Sequence, residues 1–129
     1  MKQTHISAGS GKYMLEAGIN ITEGAISILL CGGTKHHIGS CVLAIPRESL
    51  TGTGYSCTSS VVNLPGHKDE AFARPLAERI CLETMLPVTV SVGVHVDQAN
   101  TEDLRFLQAS FVIISDQITD FCKSSIKQA

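Results

Sequence analysis

Aromatic residues are scarce in this sequence: its 129 residues include two tyrosines, four phenylalanines and no tryptophan. The core must therefore be built from valine, isoleucine, leucine and alanine side chains. A chain of this length is typical of one domain. The hydrophobic content of 43% is enough for an ordinary globular core.

The sequence also lacks an excess of positive charge and any long apolar run. Its net charge is −2 and its pI is near 6.2, whereas proteins that bind nucleic acid usually carry a basic patch. No apolar run approaches the ~20 residues that span a bilayer, and the first twelve residues lack the apolar segment of a secretory leader. We therefore expect neither a nucleic-acid partner nor a membrane.

Cysteines are present, but no pair has the spacing of a disulfide framework or a zinc site. The five cysteines are odd in number and widely spread, and no Cys-x-x-Cys occurs. This pattern is typical of reduced thiols that pack as small hydrophobic groups. Together with the missing leader, it predicts a cytoplasmic protein.

Four strands are predicted in the first half of the chain, after a polar, Gly- and Ser-containing arm at Met1–Lys12. Apolar residues alternate with polar ones over Tyr13–Ile21, which indicates a half-buried strand. Ala25–Cys31 returns as the second strand of a hairpin. Ser40–Ile45 and Tyr55–Leu64 are the third and fourth strands, and each ends at a proline.

Helical spacing follows over Asp69–Met85, where Pro75 should kink the helix or mark a restart. Val88–Val96 alternates valines with small polar residues and is predicted as a strand with one buried face. A last helix, capped by Asn100 or Thr101, continues to about residue 123.

The element order β-β-β-β-α-β-α favours an α+β fold. We expect a mostly antiparallel sheet of about five strands with two helices on one face. Residues 13–129 would form this single domain, and residues 1–12 a flexible arm.

Histidines in Gly-flanked, polar segments are the main candidates for a site. His37, His67 and His95 lie in three such segments, and His95 is followed by Asp97. Histidine can donate, accept, titrate or ligate near neutral pH. We expect the three segments to surround one concave patch.

Two roles remain open for these residues. In the first, the histidines make polar contacts around a bound ligand. In the second, His37, His67, His95 and Asp97 serve a small metal- or acid/base-dependent enzyme, since imidazoles and a carboxylate suit zinc or iron. No His-x-x-x-His spacing and no Gly-x-Ser-x-Gly elbow supports an enzyme, and we expect no firm metal site.

The segment at residues 66–70 has a simpler interpretation as well. It lies at the junction of a strand and a helix, where Asp69 or Glu70 could cap the helix. Lys68 would add positive charge at a helix N-terminus, which favours anions. Arg74 and Glu78, one turn apart, have the spacing of a solvated ion pair.

Several blocks of this sequence together resemble one family. The sequence is similar to the small D subunit associated with hydroxyarylic (gallate-type) acid decarboxylases, a prenylated-flavin chaperone-like family. The resemblance implies a fold of the proteasome-assembly-chaperone type. The blocks that carry it are Cys31-Gly-Gly-Thr-Lys-His-His-Ile-Gly-Ser40, Ala44-Ile-Pro-Arg-Glu-Ser-Leu50, Thr58-Ser-Ser60, Gly66-His-Lys-Asp-Glu70, Ala73-Arg74, Ala77-Glu78 and Gly93-Val-His-Val-Asp97.

The resemblance implies an accessory, chaperone-like role beside a decarboxylase that uses prenylated FMN in aromatic acid metabolism. Such a protein would bind prenylated FMN or FMN transiently, or assist holoenzyme maturation, with the decarboxylase or a flavin prenyltransferase as its partner. The residues that fall on family-motif positions are His37, Gly39, Arg47, Thr58, Ser59, Ser60, His67, Lys68, Asp69, Glu70, Arg74, Glu78, His95 and Asp97. All of them except Glu78 become candidates for binding the cofactor.

Self-association is expected from the distribution of apolar residues. The last helix has one apolar stripe for the sheet, at Leu104, Leu107, Phe111, Ile114, Ile118 and Phe121. Phe106 and Ile113 project from the same helix on another side, and two helices can cover only one face of the sheet. Exposed apolar patches usually mark an interface, and a homodimer is the commonest closed assembly.

Overall fold

The structure, a computed structural model, describes residues 1–65 and 68–127. It contains a six-stranded sheet, two helices and a short 3-10 helix at Gly11–Tyr13. The strands are β1 (Lys2–Ala8), β2 (Leu15–Ile21), β3 (Ile26–Gly33), β4 (Ser40–Glu48), β5 (Tyr55–Asn63) and β6 (Val88–His95), and the helices are α1 (Glu70–Thr84) and α2 (Thr101–Lys127).

The strands follow the order β1-β2-β3-β6-β4-β5 across the sheet. All neighbours are antiparallel except β3 and β6, which run parallel in register from Ile26↔Val88 to Gly33↔His95. The expected α+β fold with a mostly antiparallel sheet is therefore confirmed. The insertion of β6 between β3 and β4 makes the chain cross the end of β6 on its way from β3 to β4.

The expectation of a flexible N-terminal arm is wrong for most of its length. Lys2–Ala8 forms edge strand β1 and pairs with β2 from Lys2↔Ile21 to Ala8↔Leu15, so the sheet has six strands instead of about five. Thr4, Ile6 and Ala8 are more buried than their neighbours. This short alternation is a strand signal that the polar composition of the segment conceals.

Both helices cover the same face of the sheet. The predicted inner stripe of α1 is confirmed, with Ala73, Leu76, Ala77 and Ile80 at most 1% exposed. They pack on inward valines of β6, which are also fully buried. Since aromatic side chains are few, this layer depends on branched aliphatic residues, as the composition predicts.

Pro75 does not interrupt α1, which is one continuous helix. A proline in a helix lacks the N–H that would bond to the carbonyl four residues earlier, here that of Ala71. Both Pro75 and Ala71 are exposed, so water can satisfy this carbonyl. The predicted restart at Pro75 is therefore wrong, and the alternative, a kink, stays a prediction.

Helix α2 is longer than predicted and its stripe begins later. It continues to Lys127, beyond the expected end near residue 123. Leu107, Phe111, Ile114 and Ile118 are buried as predicted, whereas Leu104 is 59% exposed. Leu104 lies at the rim of a cavity beyond the end of the core, and the apolar stripe effectively starts at Leu107.

The opposite face of the sheet carries no helix. We call it the open face; it consists of the outward side chains of the six strands, among them Leu29, Leu43, Ile45, Ser91 and Thr58. In the parts of the chain that the structure describes, neither helix is long and apolar enough to cross a membrane.

Candidate ligand-binding site

The loop 34–39 lies against the carboxyl end of β6 because backbone hydrogen bonds join both ends of the loop to that strand. The Thr34 N–H donates to the His95 carbonyl (2.6 Å), and the Gly39 N–H donates to the Val92 carbonyl (2.8 Å). Gly93 makes this approach possible, since a β-carbon there would overlap with the His37 carbonyl. The loop thus carries His37 to the end of β6, where His95 lies.

Asp69 is the buried charge of the site. The residue is 4% exposed, and its carboxylate accepts a hydrogen bond from the Val94 N–H (2.9 Å). The pairing of β4 with β6 ends at Ser40↔Val92, so the Asp69 side chain takes over the next free donor of β6. The expected capping by the Asp69 side chain is wrong: its carboxylate makes no cap bond to α1, and its backbone carbonyl accepts the first helical N–H groups instead.

Two histidines contact carboxylates at this end of the sheet. His37 Nε2 lies 3.7 Å from Asp69 Oδ2, and His95 Nε2 lies 2.9 Å from Asp97 Oδ1. The two imidazole rings are edge to face, with centroids 6.3 Å apart. His37 and His95 therefore come together as the sequence predicts, whereas the predicted contribution of Gly66 and His67 lies outside the described residues.

A cavity of about 270 Å³ opens beside this cluster, between the end of β6 and the first turns of both helices. Lys68, Asp69 and His95 supply its polar side. Phe72, which packs on Phe111 with ring centroids 4.7 Å apart, supplies an aromatic wall. The remaining lining is apolar and consists of Val94, Val96, Ala99, Leu104 and Leu107.

A second group of candidate residues lies on the open face. Arg47 Nε donates to Thr58 Oγ1 (2.8 Å) across the β4–β5 pair, and Ser60 lies on the same side. Arg47 is near the end of β4, seven residues from Ser40, which corresponds to roughly 23 Å along a strand. Within one chain, Arg47 is therefore remote from the cavity, and Thr58 and Ser60, which pair with Ile45 and Leu43, face away from the helices.

A third group forms the seam between α1 and β5. Glu70 accepts hydrogen bonds from Asn63 (2.7 Å) and Arg74 (3.3 Å), and Arg74 also lies 3.8 Å from Glu78. The predicted pairing of Arg74 with Glu78 is thus confirmed and extended to Glu70. These groups bind one another along the seam instead of facing the cavity.

Two side chains of β5, those of Cys57 and Ser59, point toward α1 beside this row of ion pairs. Cys57 Sγ lies 3.7 Å from Glu78 Oε2, and burial, followed by the Glu78 charge, raises the pKa of this thiol. Ser59 Oγ is buried without a hydrogen-bond partner among residues 1–65 and 68–127. Ser59 faces α1 and not the open face, although its neighbours Thr58 and Ser60 face outward.

Comparison with known proteins identifies the chain. A family model described as the prenylated flavin chaperone LpdD-like domain matches residues 9–123. The chain belongs to this family. The resemblance inferred from the sequence blocks is therefore confirmed. The comparison with curated protein sequences found no match.

The fold of this LpdD-like chain is similar to that of a solved chaperone. One match is the crystal structure of a chaperone complex for yeast 20S proteasome assembly, with a TM-score of 0.60 and 16% identity. It covers 98% of this chain and 99% of that one. At this identity the likeness shows the fold alone, and it confirms the expected proteasome-assembly-chaperone type.

One cluster of the LpdD-like domain is only partly predicted from the sequence, through the cap at Asn100. The Tyr13 hydroxyl (2.6 Å) and Lys12 Nζ (3.1 Å) both contact Asp103, which is 4% exposed. Asn100 and Asp103 also exchange hydrogen bonds between side chain and backbone at the start of α2. The Asn-x-x-Asp spacing signals this cap, but nothing local links it to Tyr13. The cluster fixes the end of α2 that lines the cavity.

The described residues contain no group of three or more histidine, cysteine, aspartate or glutamate side chains arranged to hold a metal ion. The two histidine–carboxylate pairs instead offer donors and acceptors that differ in exposure. Asp69 is enclosed, whereas Asp97 is 78% exposed. Such a site can bind a polar edge of a ligand at its base and a charged group at its rim.

Proposed function

We propose that this LpdD-like chain binds prenylated FMN, or FMN, transiently and serves as an accessory protein for a prenylated-FMN-dependent hydroxyarylic acid decarboxylase. Membership of the prenylated flavin chaperone family supports the class of ligand. The observation that carries the proposal is the cavity at the end of β6, where an aromatic and aliphatic wall faces Asp69, His95 and Lys68.

The chemistry of the cavity fits part of a flavin. A flavin ring system has apolar faces and a polar edge, and the cavity offers Phe72 and Leu107 to a face and Asp69 and His95 to an edge. Lys68 lies at the exposed side, where a phosphate can be bound with water still present. Arg47 is too remote to contribute to the same site within one chain.

The size of the cavity suggests a carrier. Ligand sites that enclose a whole cofactor are commonly about 300–1,000 Å³, and this cavity is smaller at about 270 Å³. Part of a bound flavin would therefore stay outside the protein. A partner enzyme could contact that part during transfer.

This geometry suggests separate roles for this chain and for the enzyme that uses the flavin. The flavin carries the chemistry of decarboxylation once it is in the enzyme. The residues of this chain bind it, orient it and shield one side from water. We propose the decarboxylase, the flavin prenyltransferase or both as partners, in the cytoplasm, where the five unpaired thiols would persist.

The two histidine–carboxylate pairs support a second candidate function, acid/base catalysis by this chain alone. His95 with Asp97 and His37 with Asp69 resemble pairs that position an imidazole for proton transfer. Release of CO2 from a hydroxybenzoate by the purified chain, without a partner enzyme, would favour this candidate over the accessory role.

FMN binding tests the proposal directly. Titration of the purified chain into FMN, followed by quenching of flavin fluorescence, should give saturable binding. His95→Asn and Lys68→Gln should each weaken it about tenfold, the effect of losing one polar contact of about 1.4 kcal/mol. His37→Asn should weaken it less, because His37 does not line the cavity and acts through its contact with Asp69. His36→Asn is the matched control, because His36 belongs to the same loop but points to Glu16 (3.6 Å).

Different outcomes of these experiments would contradict different parts of the proposal. If FMN and prenylated FMN both fail to bind, or if the His36 variant weakens binding as much as the His37 variant, the proposed site is wrong. If binding is intact but preloaded chain does not activate the apo-decarboxylase, the ligand assignment stands and the accessory role fails.

A further inference from the structure

A groove between the two helices lies outside the site described above. Its volume is about 170 Å³, and its walls come from the middle of α1 and of α2. Phe111 lines this groove and packs on Phe72, which lines the cavity at the end of β6. The two rings therefore lie between the groove and the cavity, and the groove is a separate space.

The walls of the groove are mostly apolar. Leu76 and Phe111 line it and are almost completely buried, whereas Pro75 is exposed and Val112 is 52% exposed. Proline is the residue least favoured inside a helix, and residues that break a local rule of this kind often occur at functional sites. Here the rigid ring of Pro75 forms part of a surface on which an apolar ligand can pack.

One polar group at the groove lacks a partner. Ser115 is 6% exposed, and its Oγ makes no hydrogen bond within the part of the chain that the structure describes. A buried hydroxyl without a partner costs free energy, and most such groups in folded proteins are satisfied. Because Ser115 lines the groove, a ligand hydroxyl there can donate a hydrogen bond to Ser115 Oγ or accept one from it.

The two charged residues of the groove neutralise each other. Arg79 Nη1 lies 2.7 Å from Asp116 Oδ1, and both residues line the groove. No other charged side chain from residues 1–65 and 68–127 lines it. A ligand with a net charge would be repelled by one member of this pair, so the groove favours a neutral ligand.

The volume of the groove indicates the size of that ligand. An apolar cavity of about 150 Å³ binds benzene, and this groove is slightly larger. We propose that the groove is a second ligand site, which binds a neutral aromatic alcohol of about the size of phenol. The ring packs on Leu76, Phe111 and Val112. The hydroxyl forms a hydrogen bond with Ser115 Oγ.

The reaction of the proposed partner enzyme would supply a ligand of this class. When a hydroxyaryl acid loses CO2, the bond from the ring to the carboxylate breaks and the ring carbon takes up a proton, so the product is a phenol. A phenol is neutral at pH 7, since its pKa is about 10. This source of the ligand rests on the proposed function, whereas the site itself does not.

Titration of the flavin-free, 15N-labelled chain with phenol tests the site by NMR. Saturable shifts of amide signals on both walls of the groove should give a Kd on the order of 1 mM, as expected for so small a ligand. Ser115→Ala should weaken phenol binding about tenfold but leave toluene binding unchanged, because toluene has no hydroxyl. Ser125→Ala removes another buried, unpartnered hydroxyl outside the groove and should change neither.

A second pair of variants locates the bound ring. Val112→Phe should fill the groove and weaken phenol binding about tenfold or more. Ile113→Phe, at the next residue and of similar exposure, should have little effect. Equal effects of these two variants overturn the proposal, as do equal losses of phenol and toluene binding in the Ser115 variant. Tighter binding of benzoate than of phenol overturns the assignment of a neutral ligand.

The same titrations distinguish this proposal from the proposed function. A chain that binds phenol in the groove but binds neither FMN nor prenylated FMN keeps the second site and contradicts the accessory role. A chain that binds FMN but shows no saturable shifts at phenol concentrations about ten times the expected Kd overturns the second site alone.

Discussion

Gly93 and Gly33 are two positions where backbone comes close to the end of β6: the loop 34–39 lies on Gly93, and Gly33, the last residue of β3, lies against His95. A β-carbon at Gly93 would overlap with the His37 carbonyl, and one at Gly33 would overlap with the His95 carbonyl. Gly33 also has φ of 80°, which side-chain-bearing residues rarely adopt. The placement of His37 beside His95 therefore depends on two missing side chains, in addition to the histidines themselves.

Gly93→Ala should destabilise the chain and displace the loop. Because the added methyl group meets backbone and not a flexible side chain, we expect a loss of about 1–3 kcal/mol in the free energy of unfolding, measured by urea denaturation. Gly18→Ala is the control, since a β-carbon at Gly18 meets nothing within 4 Å. Equal stability of the two variants would contradict the assigned role of Gly93.

The sequence predicts the part of this site that is formed by His37 and His95. Glycines beside histidines indicate close backbone approach next to a reactive group, and His37 and His95 do meet. Arg47 and Thr58 also fall on family-motif positions, but they lie toward the far end of the β4–β5 pair. Their distance from the histidines cannot be predicted until the order of the strands in the sheet is known. Asp69 is recognisable as polar, whereas its bond to Val94 requires the three-dimensional arrangement.

The junction between the N-terminal segment and α2 is set by Asp103. The hydrogen bond from Tyr13, then those from Asn100 and Lys12, lower the pKa of this carboxyl from its ordinary 3.8 to about 2. Phe106 stacks on Tyr13 with ring centroids 5.0 Å apart, which adds an apolar contact to the polar ones. The start of α2, and with it one wall of the cavity, is held by this cluster.

The stability contributed by Asp103 should depend on pH in a defined window. A carboxyl with a lowered pKa stabilises the fold fully above its ordinary value, and this contribution is lost as pH falls from about 4 to about 2. Asp103→Asn should lower the urea midpoint at pH 7, and its difference from the wild type should shrink across that window. Glu102→Gln, an exposed change in the same helical turn, should show neither effect.

If the Asp103 and Glu102 variants respond to pH in the same way, the Tyr13–Asp103 contact does not hold the start of α2 in solution. Tyr13→Phe offers a second check, because it removes the strongest of the contacts and should reproduce part of the Asp103→Asn effect at pH 7.

At the level of elements, the periodicity of apolar residues predicts individual strands and helices, but it does not predict which strands pair when they are distant in the sequence. The alternation over β2 and β6 and the stripes of α1 and α2 give those elements within a few residues. Strand β1 is missed because three inward residues are a weak signal in a polar segment. The position of β6 between β3 and β4 is not predictable from spacing, since a parallel pair is made by contacts more than 50 residues apart.

For the whole molecule, burial protects thiols that could otherwise react. All five cysteines are unpaired, and burial raises the pKa of Cys122 to about 12 and that of Cys81 to about 11. Burial also raises the pKa of Cys31, whose thiol donates to the His37 carbonyl (3.4 Å). The thiolate is the reactive form, so these groups should be inert in the folded chain.

Thiol titration should show this difference between folded and unfolded protein. In denaturant without reductant, a chromogenic thiol reagent at pH 8 should find all five groups of the sequence. In the folded chain, Cys81 and Cys122 should stay unlabelled, because they are fully buried and almost entirely protonated at that pH. Peptide mass analysis identifies which residues react. Fewer than five groups in denaturant, with a matching intramolecular disulfide, would contradict both the reduced state and the proposed cytoplasmic compartment, where disulfides are rare.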